Sequence, residues 1–325
     1  MDLPALTPGY RALREQSAWI DLRERGKILA TGEDRARLLH ALSTNHIEQL
    51  KPGQGCYAFF LNAQGRILAD ANILCFDNAL LLDTEPETRV KLFEHLDRYI
   101  IADDVAIEDR TAALSTIAIE GPESAAVLRK LGAPVPDEPY SSVRWADRVI
   151  ARISSTGSEG FFVFSEVATG SPLADAQGSD AHPNRVFPIP PATAEDARTV
   201  RIENGRPRYG EEITERNLVQ ETGQIHAVHP NKGCYLGQEI VERVRSQARL
   251  HRMLRRLEID AVNPPAPGTK TAEVEIMSSA FSPALQKSVA LAYVRTEFGP
   301  GSELSIDGAR ATVSAAWAAP HPRET

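Results

Sequence analysis

The stretch Asn231-Lys232-Gly233-Cys234-Tyr235-Leu236-Gly237-Gln238-Glu239, running on into Ile240-Val241-Glu242-Arg243-Val244, sets a single cysteine between two glycines, beside a lysine and just ahead of a segment with helical character. A thiol at the start of a helix with cations close by has its thiolate stabilised by the helix dipole and the neighbouring charge, and so can serve as nucleophile or metal ligand. The same spacing suits a small packing residue in a tight turn, the usual fate of a free cysteine. On these residues alone both readings stand.

Taken as a pattern, Lys232-Gly233-Cys234-Tyr235-x-Gly237-Gln238-Glu239 resembles the signature of the YgfZ-type folate-binding proteins, relatives of the glycine-cleavage T-protein (aminomethyltransferase) that act in assembly or repair of iron–sulfur clusters. The resemblance runs from about Trp19 to about Arg295 and takes in the stretches beginning Thr31-Gly32-Glu33-Asp34, Tyr57-Ala58-Phe59-Phe60 and Arg98-Tyr99-Ile100-Ile101. It implies an α+β fold in three parts: two α+β modules interleaved within residues 1–250, and a C-terminal antiparallel β-barrel over residues 251–325. It also implies tetrahydrofolate, or a one-carbon derivative, bound where the parts meet. Cys234 would stand at the edge of that cleft as the reactive thiol, with iron–sulfur client or assembly proteins as partners.

The resemblance carries further residues. Glu203, in Arg201-Ile202-Glu203-Asn204-Gly205, matches an acid that binds the pterin ring in the T-protein. A carboxylate accepts two parallel hydrogen bonds, from the ring's amino group and the adjacent N–H, better than a neutral side chain does. Tyr209 falls where the family often has an aromatic that stacks on or edges the ring, and Lys232 and Arg243 are further candidate folate contacts. The simpler roles are a local salt bridge for Glu203 and half-buried packing for Tyr209. The T-protein also has an adjacent pair of acids after its glycine-containing hairpin, used near the reacting nitrogen of the folate. Here the pair reads Ala69-Asp70. Asp70 is thus a folate-site candidate or a solvated strand-end acid, and the missing partner weighs against aminomethyl transfer.

With 325 residues the chain exceeds what one hydrophobic core usually serves, and an apolar fraction of 42% is ordinary for a globular protein. A formal charge of −8 argues against general nucleic-acid binding, and Arg243, Arg245, Arg249, Arg252, Arg255 and Arg256 lack the interleaved aromatics of a base-stacking surface. That arginine run reads as a solvated face, or as a patch for the glutamate tail of folate or an acidic partner. Cys56, Cys75 and Cys234 are far apart and odd in number, which gives no disulfide framework and no paired-cysteine metal motif. Without a basic leader followed by an apolar run, or an apolar segment of membrane-spanning length, no membrane association is expected and the cytoplasm is the expected compartment.

Apolar and turn residues divide the chain into short elements. A helix is expected over 12–21, a strand over 27–30, and a helix capped by Thr31 with Asp34 that carries Ala36, Leu38, Leu39 and Leu42 on one face. Strands over 57–61 and 66–74 flank the hairpin turn 62–65; a third covers 79–83, and Leu92, Phe93, Leu96, Tyr99 and Ile100 recur at helical spacing after it. Strands over 115–120, 149–153 and 161–164 and a helix over 122–131 suggest an α+β layered domain, followed by an irregular loop over 166–184 and a helix capped at Thr193 with Asp196. From Arg252 on, alternating runs over 254–259, 273–277, 288–294, 302–306 and 311–315 suggest a small antiparallel barrel, and residues 318–325 read as a frayed end.

Three functions follow. The first is a folate-binding protein of iron–sulfur cluster assembly or repair, which supplies one thiolate where a cluster normally needs four ligands. A second is a folate-dependent aminomethyltransferase, and a third is a non-catalytic scaffold with Cys234 buried. The resemblance accommodates either an enzyme or a folate-dependent accessory protein.

Overall fold

The computed structural model describes residues 6–167, 187–247 and 250–314. Most of the loop expected over 166–184, the terminal stretch 318–325 and Arg249 lie outside the described residues.

Helix α1 (Pro8–Glu15) opens on Thr7, whose hydroxyl accepts the Tyr10 N–H, with proline in the first turn where its missing donor costs nothing. It gives way to strand β1 (Ala18–Asp21), so the helix expected over 12–21 is instead a helix end followed by a strand. Trp19 and Ile20, taken as part of one helical run, are buried in a sheet. Strands β2 (Gly26–Thr31), β3 (Gly55–Leu61), β4 (Ile67–Cys75), β5 (Leu80–Thr84) and β6 (Ala106–Asp109) form the first sheet, antiparallel throughout in the order β3-β4-β5-β2-β6. Helices α2 (Arg35–Leu42) and α3 (Arg89–Tyr99) cover one of its faces. The capping expected of Thr31 does not occur: Thr31 closes β2, and Asp34 holds the N-cap position while its carboxylate accepts the Asp104 N–H at 3.0 Å.

Side chains alternate across a strand with period two, and in this sheet the alternation is decisive. Cys56, Ala58 and Phe60 of β3, Ala69, Ala71 and Ile73 of β4, and Leu80 and Leu82 of β5 join the helix-covered core. On the opposite face, Leu74 and Leu81 pack against the second sheet, while Tyr57, Phe59, Leu61 and Ile67 pack against the segment that carries Tyr209, Ile213 and Tyr235. Between these two apolar contacts lie the polar residues Asp70, Asn72 and Asp83, all buried.

The second sheet has six strands in the order β11-β1-β7-β10-β9-β8, from β7 (Leu114–Glu120), β8 (Ser142–Trp145), β9 (Arg148–Ala151), β10 (Gly160–Glu166) and the short β11 (Pro191–Ala192), which pairs parallel with β1. Helix α4 (Ser124–Lys130) covers one face. On the other, α1 and α5 (Ala194–Glu203) share a core with Leu74 and Leu81 of the first sheet. Helix α5 starts with the expected capping box: the Thr193 hydroxyl accepts the Asp196 N–H, and the Asp196 carboxylate accepts the Thr193 N–H.

Helix α6 (Gln238–Gln247) precedes a third, wholly antiparallel sheet of β12 (Arg252–Ile259), β13 (Val274–Ser282), β14 (Lys287–Arg295), β15 (Glu303–Ile306) and β16 (Ala309–Ser314), ordered β13-β14-β12-β16-β15. One face has its own core around Leu257, Ile276, Ala292 and Val313. The other, through Leu254, Leu291 and Tyr293, packs on Ile202. Helix α5 is therefore held between the second and third sheets, with Val200 in one core and Ile202 in the other.

Candidate functional site

A cavity of about 700 Å³ opens between the first two sheets. Its walls come from β4 (Asp70, Asn72), the loop Leu22–Arg25, Glu85, and the arginines of α5 and the segment after it, Arg198, Arg201, Arg206 and Arg208. Asp70 accepts a hydrogen bond of 2.6 Å from the Tyr57 hydroxyl, and the Tyr57 ring is stacked at 5.4 Å on His226. Burial, with the charge of Glu85 added, pushes the Asp70 carboxyl up to about 6 against the pull of the Tyr57 bond, Arg25 and Arg208. Burial and Asp70 together hold the Tyr57 phenol well above its usual range, so it remains a donor.

Two residues along β4, Asn72 donates to Asp83 Oδ2 at 2.8 Å, and its Oδ1 is buried without a partner among the described residues. Buried polar atoms are rarely left unpaired. Asp70 and Asn72 thus offer two acceptors on one side of the strand to N–H groups of a ligand in the cavity.

The surrounding charges are paired. Arg25 meets Asp83 with bonds of 2.9 and 2.8 Å and also touches Glu85. Arg208 bridges Glu85 at 3.0 Å and Glu87 at 2.8 Å; Arg201 bridges Glu212 at 2.8 Å and Glu211 at 3.1 Å. Burial alone would raise the Glu85 carboxyl, but the guanidinium groups of Arg25 and Arg208 hold it below its usual value. Glu85 therefore stays ionised and contributes to the field that raises Asp70.

Of the residues singled out in the sequence, Asp70 alone lines this cavity. The Glu203 carboxylate lies where α1, α5 and the third sheet meet: Oε1 accepts the Tyr10 and Ser282 hydroxyls, each at 2.6 Å, and Oε2 is 3.5 Å from Arg14. Tyr209 belongs to the core behind β3 and lines a separate cavity of about 620 Å³ bordered by the third sheet. Arg243 is exposed on α6.

The Lys232 ammonium is buried and donates to the carbonyl oxygens of His40, Ser43 (2.6 Å) and Asn45 (2.9 Å) at the C-terminal end of α2, which uses all three of its protons. Desolvation lowers its pKa to about 8. Gly237, at a positive φ of 81°, starts α6 so close to the hairpin that a Cβ would meet Asn62 O at 2.6 Å, and a Cβ on Gly65 would meet Ile240 at 2.7 Å. Tyr235 fills the core behind β3. Cys234 is exposed, which removes the packing role, and lines neither cavity.

The arginines, Glu85, Asn72 and Tyr57 were not singled out by sequence reasoning. For Tyr57 and Asn72 the signal existed, since strand alternation places both on the face of Asp70. For Arg25, Glu85, Arg201 and Arg208 none did, because their ion pairs form only once β2 pairs with β5 and the segment after α5 folds back on its helix and against Glu85 and Glu87. Among the described residues no helix is long and apolar enough to cross a membrane.

Comparison with known proteins agrees with this architecture. A crystal structure of the glycine cleavage system aminomethyltransferase T from Bartonella henselae superposes with a TM-score of 0.80 at 19% identity, covering 96% of this chain and 90% of that one. A putative chloroplastic transferase of Arabidopsis thaliana is 30% identical over 257 residues, 76% of this chain and 57% of the plant protein, so the alignment leaves much of the latter unmatched. An aminomethyltransferase of Synechocystis is 26% identical over 322 residues, which cover 92% of this chain and 83% of that protein. Residues 4–232 match the family described as the GCVT N-terminal domain. That match spans more than half of the chain, and the protein belongs to this family.

Proposed function

We propose that this protein binds a reduced folate in the cavity between the first two sheets, with Asp70 as the carboxylate facing the ligand's reacting nitrogen, and that it is a folate-dependent protein of the aminomethyltransferase type. The observation that carries this reading is the placing of a buried carboxylate and an unpartnered amide oxygen side by side on the cavity face of β4. The reacting nitrogen of a reduced pterin carries an N–H that the Asp70 carboxylate can accept, the Asn72 amide oxygen can take a further ring N–H, and the arginine-lined wall suits the carbonyl oxygen. The residue that departs from the transferase pattern, Ala69, faces the helix-covered core. An acid there would point away from the cavity, so its absence does not weigh against transfer. Calorimetric titration of tetrahydrofolate into wild type and Asp70→Asn tests the reading. Binding by wild type, weakened at least about tenfold in the variant, supports it; equal binding by both sinks the assignment of Asp70, and no binding by either sinks the ligand.

A second activity on the same ligand is a role in assembly or repair of iron–sulfur clusters, as in the YgfZ-type proteins. What favours it is the exposure of Cys234 outside the cavity, where a partner protein can reach the thiol while the folate is bound. Among the described residues no three His, Cys, Asp or Glu side chains are grouped to hold a metal ion. Any cluster contact through Cys234 therefore takes its remaining ligands from the partner. Turnover with an aminomethyl donor, compared with reactivation of a cluster-depleted enzyme by wild type and by Cys234→Ala, separates the two activities.

A further inference from the structure

Three imidazoles lie together where the Cys234 turn meets the end of α2. The His46 ring packs edge-on with His40 at 4.4 Å and with His229 at 5.2 Å between centroids, and the three do not form a metal-holding group. Two of them are tied to the backbone: His40 Nδ1 accepts the Ile47 N–H at 3.3 Å, and His229 Nδ1 accepts the Asn231 N–H at 3.2 Å. A ring nitrogen that accepts carries no proton, so both rings are neutral in this arrangement. Both amides belong to the seat of the turn. Lys232 donates to His40 O, Ser43 O and Asn45 O, the Leu236 N–H donates to Ala41 O at 3.1 Å, and the His229 N–H donates to Thr44 O at 3.0 Å. Asn231 directly precedes Lys232, and Ile47 lies two residues after Asn45. The groups that face the cluster are the Lys232 ammonium, with the neutral Cys56 thiol of β3 near it, and the exposed Glu48 carboxylate, 4.0 Å from His40 Nε2. From α6, Arg245 reaches the Pro230 carbonyl at 3.4 Å beside its partner Glu242.

We infer that His40 and His229, with His46 packed between them, form an acid-operated latch on the Cys234 turn: a proton taken up from solvent by either ring turns an acceptor nitrogen into a donor, expels the amide that faces it, and loosens the turn from the end of α2. Two N–H groups cannot share that contact, so the added proton and the closed seat exclude each other. Burial, the Lys232 ammonium and His46 hold both rings below the ordinary histidine value of 6.5 while the seat is closed, with Glu48 opposing them at His40. Once the seat opens, the rings return toward that value. The latch is therefore held above it and opens as pH falls below it. It acts whatever ligand the central cavity takes, and its consequence is for a partner that meets Cys234, since the thiol is carried on an anchored turn at neutral pH and on a loosened one in acid.

Amide hydrogen exchange of the full chain, read by mass spectrometry and corrected for the intrinsic effect of pH on exchange, tests the latch in wild type and in a double variant, His40→Asn with His229→Asn. An asparagine oxygen replaces Nδ1 as acceptor and takes up no proton in this range. In wild type, protection of peptides covering 43–47 and 229–236 should fall at least about tenfold between about pH 7.5 and about pH 5.5 while β14 stays protected, and the double variant should keep its protection throughout. Nitrogen-15 NMR of the wild-type imidazoles needs no variant and decides alone if the double variant fails to fold. It should find Nδ1 of His40 and His229 bare at about pH 7.5 and protonated as the Ile47 and Asn231 amides lose protection. Protection that does not change with pH in wild type, an equal fall in the double variant, or His40 and His229 both still neutral at about pH 5.5 overturns the latch.

Discussion

Tyr57 donates its hydroxyl proton to Asp70 across a 2.6 Å hydrogen bond between neighbouring antiparallel strands, and both groups are buried. A neutral phenol that donates to a carboxylate stabilises the ionised form, yet burial and Glu85 outweigh it and leave Asp70 titrating at about 6. The pair therefore holds a carboxylate whose charge changes within the physiological range, turned toward an open cavity.

A buried charge that serves a ligand costs stability. With its folded pKa raised to about 6, against about 4 in an unfolded chain, the contribution of Asp70 is fully present below pH 4 and is lost as pH rises through 6. Asp70→Asn should therefore be more stable than wild type by about 1–3 kcal/mol at pH 8. Urea denaturation on either side of pH 6 should show the gap close as the solution is acidified.

The same titration sets the pH dependence of binding. If the ionised carboxylate is the acceptor, tetrahydrofolate affinity in wild type falls as pH drops through about 6, and the inflection is missing in Asp70→Asn. An identical profile in both proteins would assign the titration to another group.

Glu203 joins α1 and the third sheet through Tyr10 and Ser282 rather than lining the cavity. Glu203→Ala leaves two buried hydroxyls without their acceptor and should cost about 2–4 kcal/mol of unfolding free energy. Glu203→Gln retains an acceptor, and folded Glu203→Gln should bind tetrahydrofolate within about twofold of wild type. Loss of binding in folded Glu203→Gln would restore the pterin contact expected from the sequence.

Lys232 fastens the Cys234 turn to the end of α2 through three carbonyl groups. Lys232→Met leaves these without their donor and should lower stability by about 2–3 kcal/mol in chemical denaturation, with tetrahydrofolate binding unchanged in the folded fraction.

Thiol accessibility gives a direct check of the motif. Iodoacetamide should label Cys234 in the native protein, whereas the buried Cys56, whose thiol burial pushes up to about 12, and Cys75 should react only after denaturation. Mass spectrometry of tryptic peptides distinguishes the three.

Local chemistry in the sequence determined much of the framework. The Thr193–Asp196 box, the strands on either side of the hairpin at Gly65, the helical spacing of Leu92 and Leu96, and the alternating runs of the last sheet each depend on residues close in the chain, and each appears in the structure. The boundary between α1 and β1 was misread because Trp19 and Ile20 owe their conformation to pairing with β7 and β11, which no local pattern records. Of the candidate site residues, Asp70 is the one that lines the central cavity. Which of positions 69 and 70 faces the cavity depends on which face of β4 the helices cover, and that is settled by packing. That Glu203 accepts the Tyr10 and Ser282 hydroxyls, and that Lys232 donates to three carbonyl groups, likewise depends on contacts between residues far apart in the chain. The motif shows the division most clearly: Lys232, Tyr235 and Gly237 have structural partners supplied by the first sheet and its helices, and Cys234 is left facing solvent. The sequence determined which residues could react, and tertiary packing decided which of them remained free to do so.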